Sequence, residues 1–170
     1  MLKEHTKLLQ VLAETEEIIG RKKLQKMVYV AQKLRFPFYE KYEFHFYGPY
    51  SEELTLQMEE LHNLGLISET KERKGGYEQY RYALTRDGDD FLKQYGLESV
   101  LTGEVMMCLN QQSSRFLELV ATVLYFEELQ ETLLVEKIGQ VKKKQRYQEN
   151  EIADALAFIA KLKQGSYQNS

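Results

Sequence analysis

The stretch LHNLGLISETKERKGGYEQYRYALT, residues 61–85, decides the fold. Its opening phrase ends a helix, because Gly65 supplies the left-handed cap and Leu66 and Ile67 lead into extended chain. Two extended runs then meet at Lys74, Gly75 and Gly76 and read as a β-hairpin over residues 66–84. Thr85 is placed to cap a short helix, TRDGDDFLKQY.

Working back toward the N-terminus, Ser51 is placed to cap the helix that ends at Gly65, with Glu52 and Glu53 in its first turn where the dipole favours acids. Leu54, Met58 and Leu61 form its inner face. Before it lies FPFYEKYEFHFYGPYS, residues 36–51, which holds eight of the chain's twenty aromatic residues and both prolines. A simple connector would be polar. From Tyr42 to Tyr47 the residues alternate, which predicts a short strand with Tyr42, Phe44 and Phe46 inward and Glu43, His45 and Tyr47 outward. Gly48 and Pro49 are expected to stop it. Residues 36–50 are thus an aromatic insertion bracing the helices on either side.

Earlier still, helical spacing predicts a first helix from about Lys3 to Ile18, ended by Gly20, and a second from Arg21 to about Leu34. In the second, Leu24, Met27, Val28, Ala31 and Leu34 share one face. Lys22, Lys26, Tyr29 and Lys33 fall on the other. Between Gly20 and Phe38 there are six basic residues and no acidic one. Arg21, Lys22 and Lys23 crowd the helix N-terminus, where the dipole disfavours each cation by about 0.3–1 kcal/mol. That penalty points to a use, unless the face is merely solvated.

Beyond the hairpin, residues 96–170 read as wholly helical. One helix is expected from Glu98 to Asn110. The next starts at Ser113 or Ser114 and is apolar nearly all round through FLELVATVLYF, so it is either central to a core or part of a homodimer interface formed through residues 114–128 or the C-terminal helices. Leu134, Ile138 and Val141 mark a third, followed by the basic cluster Lys142, Lys143, Lys144 and Arg146. A last helix, capped by Asn150, carries Ile152, Ala155, Leu156, Ile159 and Leu162 and is expected to end at Gly165.

With 170 residues, 43% apolar and 29% charged, the chain has the make-up of a globular protein with a sizeable core. Its longest nearly apolar run, Leu119 to Phe126, is far short of the roughly 20 residues that span a bilayer. MLKEHTKLLQ carries charge where a signal peptide needs apolar residues, and Cys108 is the single cysteine, so a cytoplasmic location is expected. The three histidines, His5, His45 and His62, lie in separate elements without metal-ligand spacing. No glycine loop cradles a phosphate, and Cys108 sits among Met106, Met107 and Leu109 as a small hydrophobe. No catalytic residue, metal or cofactor is expected, and the protein reads as a non-enzyme.

Helices followed by a charged hairpin, in this order, describe a winged helix-turn-helix over residues 1–95, with a helical C-terminal extension: a mostly α, α+β fold. IGRKKLQKMVYVAQKL, FPFYEKYEFHFYGPYSEEL, NLGLI and KGGYEQYRYALT together resemble the YwgA family of small Bacillus proteins. KLQKMVYVAQ and the Phe46-Tyr47-Gly48-Pro49 turn are also similar to the Panacea, or SocA-like, antitoxin domains. The resemblance implies a non-enzymatic module, in some relatives one that binds and controls a protein partner.

Winged helices usually bind DNA through the helix before the wing. Here that helix, Ser51 to Gly65, has four acidic residues (Glu52, Glu53, Glu59 and Glu60) and no Lys or Arg. Carboxylates facing phosphates would be repelled. Leu56, opposite the inner face and ringed by Glu52, Glu59 and Glu60, is instead a protein-contact patch, unless the C-terminal helices cover it. The expected partner-binding residues are therefore Lys22, Lys26, Tyr29, Lys33, His45, Tyr47, Glu52, Leu56 and Glu59. The alternative is a DNA-binding regulator using the basic helix and the wing, with nucleic-acid contacts from Lys71, Arg73, Lys74 and Arg81. It would lack base readout.

Overall fold

The hairpin forms where the sequence places it. In the computed structural model, which describes residues 2–96 and 103–168, β4 (Ile67–Lys74) pairs antiparallel with β5 (Tyr77–Leu84). Gly75 and Gly76 close the turn with φ of +50° and +94°, a conformation that side chains resist. The helix before it, α3 (Glu52–Asn63), ends with Gly65 N–H donating to His62 O and Leu66 N–H to Leu61 O, the paired reversal that a left-handed glycine allows. After it, Thr85 Oγ1 accepts the Gly88 amide at 3.0 Å and opens α4 (Arg86–Tyr95).

The first helix is shorter than its spacing suggests. α1 covers Leu2–Thr15, and residues Glu17–Ile19 form β1 instead of a last helical turn. Glu16 breaks the helix with a φ of 66°. The β-branched pair Ile18 and Ile19 then closes the open edge of β5, with Ile18 opposite Tyr82 and wholly buried. The sheet order is β1-β5-β4. Arg81 of β5 ties it together through ion pairs to Glu17 on one side and Glu72 on the other. Gly20 is therefore the residue before α2 (Arg21–Lys33), with a φ of 115°, and not the end of the first helix.

The aromatic segment also departs from expectation. The strand β2 is only Glu43–His45, and Gly48–Tyr50, expected to stop it, forms the partner strand β3. Phe44 faces Pro49 and His45 faces Gly48 across the pair. Phe46 and Tyr47 become the two-residue turn, so Phe46 is 59% exposed and not inward. Phe44 keeps its inward place, between the rings of Tyr125 and Phe126.

The C-terminal helices are α5 (Gly103–Asn110), α6 (Ser114–Tyr125), α7 (Glu131–Val141), a 3₁₀ turn at Lys143–Gln145, and α8 (Glu149–Gln168). The expected start of α5 at Glu98 lies outside the described residues. α8 begins one residue before Asn150 and continues past Gly165, which leaves Asn150 inside the helix and not at its cap. α6 is central to the core: Leu117, Leu119, Val120, Ala121, Val123 and Leu124 are all buried, and the helix packs on α2, β3 and α8. Its apolarity is used within the chain. One continuous core runs from Leu8 and Leu12 of α1 through α2 and α3 to Ile159 and Leu162 of α8. The architecture is mostly helical with small antiparallel sheets, and no helix among the described residues is long and apolar enough to cross a membrane.

Gly88 sets a steric limit where α4 meets the hairpin. A Cβ there would lie 1.9 Å from the backbone oxygen of Leu66. Gly88→Ala is expected to lower the unfolding free energy by about 1–3 kcal/mol, read as a lower urea midpoint at unchanged slope.

Candidate functional site

The middle of the expected basic face of α2, Lys26 and Tyr29, points into the protein, while Lys22 stays exposed and Lys33 half-buried. Eight consecutive residues, Leu24 to Ala31, are buried, because α6 and the β2-β3 hairpin cover the side that a two-faced helix would leave wet. Lys26, expected on an open face, is 2% exposed and donates to Pro49 O at 2.8 Å. Tyr29, expected beside it, is buried edge-on against Tyr42 at 4.8 Å. The other cations are engaged too. Lys22 stands 3.2 Å over the Tyr47 ring, Lys33 lies 3.4 Å from Glu127, and Lys23 donates to Asn110 O. Arg21 stacks on Tyr80 at 3.7 Å, donates to Tyr82 Oη at 3.1 Å and pairs with Glu69 at 3.3 Å.

A second buried lysine joins this junction from the far end of the chain. Lys142, 1% exposed, donates to Phe46 O at 2.7 Å and lies 3.4 Å from Glu118 Oε1. Tyr147 donates to the other oxygen of Glu118 at 2.9 Å. Two ammonium groups thus hold two carbonyls of the Phe46-Tyr47-Gly48-Pro49 turn, with one carboxylate between them. Burial pulls the Lys26 ammonium down to about 8 against the opposing attraction of Glu118, and it lowers Lys142 as well. Gly48, with φ of +89°, lets the turn approach to within 3.4 Å of Thr122 Oγ1, measured from where a Cβ would stand. The sequence shows Lys142 only as one of the basic cluster with Lys143, Lys144 and Arg146. The signal was its spacing, four residues after buried Ile138 and eight after buried Leu134.

On α3 the expectation and the structure coincide. Ser51 Oγ accepts the Leu54 amide at 3.1 Å, and Gln25 of α2 grips Ser51 through both its N–H and its C=O, each at 2.9 Å. Leu54, Met58 and Leu61 are buried. Outward stand Glu52, Glu53, Glu59 and Glu60, with Leu56 at 55% and Leu64 at 60% exposure. The helix packs on α1 and β4, and the C-terminal helices leave its outer face open. Lys41 N–H donates to Glu53, and His5 lies 3.4 Å from Glu60.

The remaining site residues lie apart from this face. His45, at the end of β2, stacks on Tyr50 and lies 3.5 Å from Glu43. In the wing, Lys71 lies 3.1 Å and Arg73 3.9 Å from Glu78, while Arg81 is held by Glu72 and Glu17. Lys74 is exposed at the turn. Lys71 and Arg73 thus share the single carboxylate of Glu78, and Arg81 is shared between Glu72 of the wing and Glu17 of β1.

One buried acid went unnoticed in the sequence. Glu40, 2% exposed, has both carboxyl oxygens without a hydrogen-bond partner. Burial raises its pKa against the pull of its own backbone amide and of Lys7, and Glu4 and Glu53 nearby raise it further.

No protein-family model matches the chain. It is 57% identical over 164 residues to the protein named Uncharacterized protein YwgA from Bacillus subtilis (strain 168), covering 96% of this chain and 99% of that one.

The raised Glu40 group gives a pH dependence of definite sign. The folded state holds the proton more tightly than the unfolded chain, so stability is full at low pH and falls as pH climbs from the ordinary carboxylate range through the raised value. Glu40→Gln cannot ionise. In urea titrations at pH 4.5 and 7, on the order of the acid's unfolded and working ranges, the variant is expected to gain on the native chain at the higher pH. A native chain that gains on the variant instead would contradict this assignment.

Proposed function

The chain belongs to the YwgA family, and we propose that it is a non-catalytic regulatory protein that acts by binding a protein partner through the outer face of α3. One observation carries the proposal: the helix before the hairpin is open, acidic and centred on an exposed leucine. Leu56 at 55% exposure sits among Glu52, Glu59 and Glu60. An exposed apolar anchor ringed by like charges suits a protein surface of opposite charge.

The order α1-β1-α2-α3-β4-β5 with sheet order β1-β5-β4 supports a winged-helix reading of residues 1–95, with the C-terminal helices as its brace. In that frame α3 takes the place of the recognition helix, yet it offers carboxylates where DNA presents phosphates. The basic helix offers only part of its charge, since Lys26 is buried on Pro49 O, Lys23 donates to Asn110 O and Lys33 faces Glu127, while Arg21 and Lys22 stay exposed at its start. In the wing Lys71, Arg73 and Arg81 each face a carboxylate. The DNA-binding alternative therefore has less to support it than protein binding. An adaptor-like role, holding one protein and modulating it, fits best.

The proposal is tested by quantitative affinity capture followed by binding assays on the captured protein. Leu56→Asp is expected to weaken the association by about tenfold or more while leaving the fold intact, because the side chain is mostly exposed. Lys71→Glu should have little effect. The reading fails if Leu56→Asp binds like the native chain, or if the purified protein instead shows a salt-sensitive shift with DNA.

A further inference from the structure

The tip of the β2-β3 hairpin carries two aromatic rings into solvent, with Phe46 at 59% and Tyr47 at 45% exposure. Tight turns are ordinarily filled by glycine, asparagine or aspartate, so turn geometry does not account for this pair. Nor is the tip free to fold its rings away, because buried Lys142 and Lys26 fix it through Phe46 O and Pro49 O.

Cations stand around the rings. Lys22 lies 3.2 Å over Tyr47, and Lys144 lies 5.1 Å over Phe46. Lys143 and Arg146, from the same turn as Lys144, line a cleft of about 220 Å³ whose apolar wall is Val135, Ile138 and Ile152. Lys142 joins cleft and tip, since it lines the one and donates to the other. Lys22, Lys143, Lys144 and Arg146 are all exposed, and among the described residues none of them forms an ion pair. Arg146 also holds a φ of 51°, a backbone state that costs an arginine more than a glycine. Carboxylates are fewer here. Glu118 is offset by Lys142, which leaves Glu149 at the cleft and Glu43 beside His45 against four exposed cations.

We propose that the Phe46-Tyr47 tip and its cleft form a second interaction surface, for an acidic peptide segment of a protein partner that carries an apolar side chain. About 150 Å³ already holds a group the size of benzene, so the cleft takes one such side chain. Carboxylates beside it meet Lys143, Lys144 and Arg146, and Phe46 supplies a fixed apolar anchor. Single-stranded nucleic acid fits less well. Bases stack on open ring faces, whereas here an ammonium stands over each ring and the two rings are turned 87° from each other. The surface shares no residue with the α3 patch of Leu56, Glu52, Glu59 and Glu60, and it stands independently of that reading.

The test titrates the isotope-labelled full chain with a capped Asp-Glu-Leu-Phe-Glu-Asp peptide and its neutral counterpart, Asn-Gln-Leu-Phe-Gln-Asn. The acidic peptide is expected to shift the Phe46, Tyr47, Lys143 and Arg146 amides saturably, and the neutral one to bind at least about threefold more weakly. Arg146→Gly keeps the left-handed turn and removes the charge, and Phe46→Ser removes the exposed ring. Each should weaken the acidic peptide by at least about threefold, while Leu56→Asp leaves it unchanged. The proposal is overturned if the neutral peptide binds as tightly, if the shifts are absent or do not saturate, or if either tip variant binds like the native chain. Loss of the peptide in Leu56→Asp, or a preference for single-stranded oligothymidylate or phosphatidylserine vesicles, would overturn it as well. So would concentration-dependent dimerisation that Phe46→Ser removes, since the surface would then belong to a second copy of the chain.

Discussion

The structure depends on a buried lysine meeting a backbone carbonyl. Lys26 is 2% exposed, and its ammonium lies 2.8 Å from Pro49 O. Lys142 repeats the arrangement on Phe46 O from the other end of the chain. A two-stranded hairpin of three-residue strands is marginal alone, and a proline in it removes a donor. Its unmet carbonyls need donors from outside, and a lysine stem long enough to cross a core can deliver one. Removing one member of such a buried charged cluster typically costs about 3–5 kcal/mol, since it strands the others. Glu118 and the two carbonyls are what make two interior ammonium groups tolerable.

From this junction the charge layout follows. With Lys26 committed to the hairpin, Lys23 to Asn110 O and Lys33 facing Glu127, the positive stripe of the sequence reaches the surface chiefly at Arg21 and Lys22. The acid-rich outer face of α3 reaches it as well, held at a fixed angle by the Gln25 clamp on Ser51. The proposed partner surface is thus rigid. The aromatic insertion matters through its main chain as much as its rings. It gives the two lysines their acceptors and lays Phe44 against Tyr125 and Phe126.

Much of this was legible where local chemistry decides. The Gly75-Gly76 turn, the Ser51 and Thr85 caps and the two faces of α3 all follow from spacing and backbone preference, and Leu56 is exposed as its place on the wheel implies. Where a distant element decides, the sequence misled. Glu17–Ile19 reads as helix until β5 offers an edge. Lys26 and Tyr29 read as exposed because two faces account for an isolated helix, and a third wall arrives from more than eighty residues away. Phe46 reads as inward by alternation, which stops at a two-residue turn that spacing does not reveal. Glu40 gives no local signal at all, as its isolation arises from what packs around it.

The inward lysine face can be read directly by acetylating the native protein under mild conditions and following each lysine by mass spectrometry. The expected result is full reaction at exposed Lys71 and Lys74 while Lys26 and Lys142 remain unmodified until the chain is unfolded. Modification of Lys26 and Lys142 at the rate of Lys74 in the native state would contradict the buried junction, and with it the assignment of α3 as the surface left free.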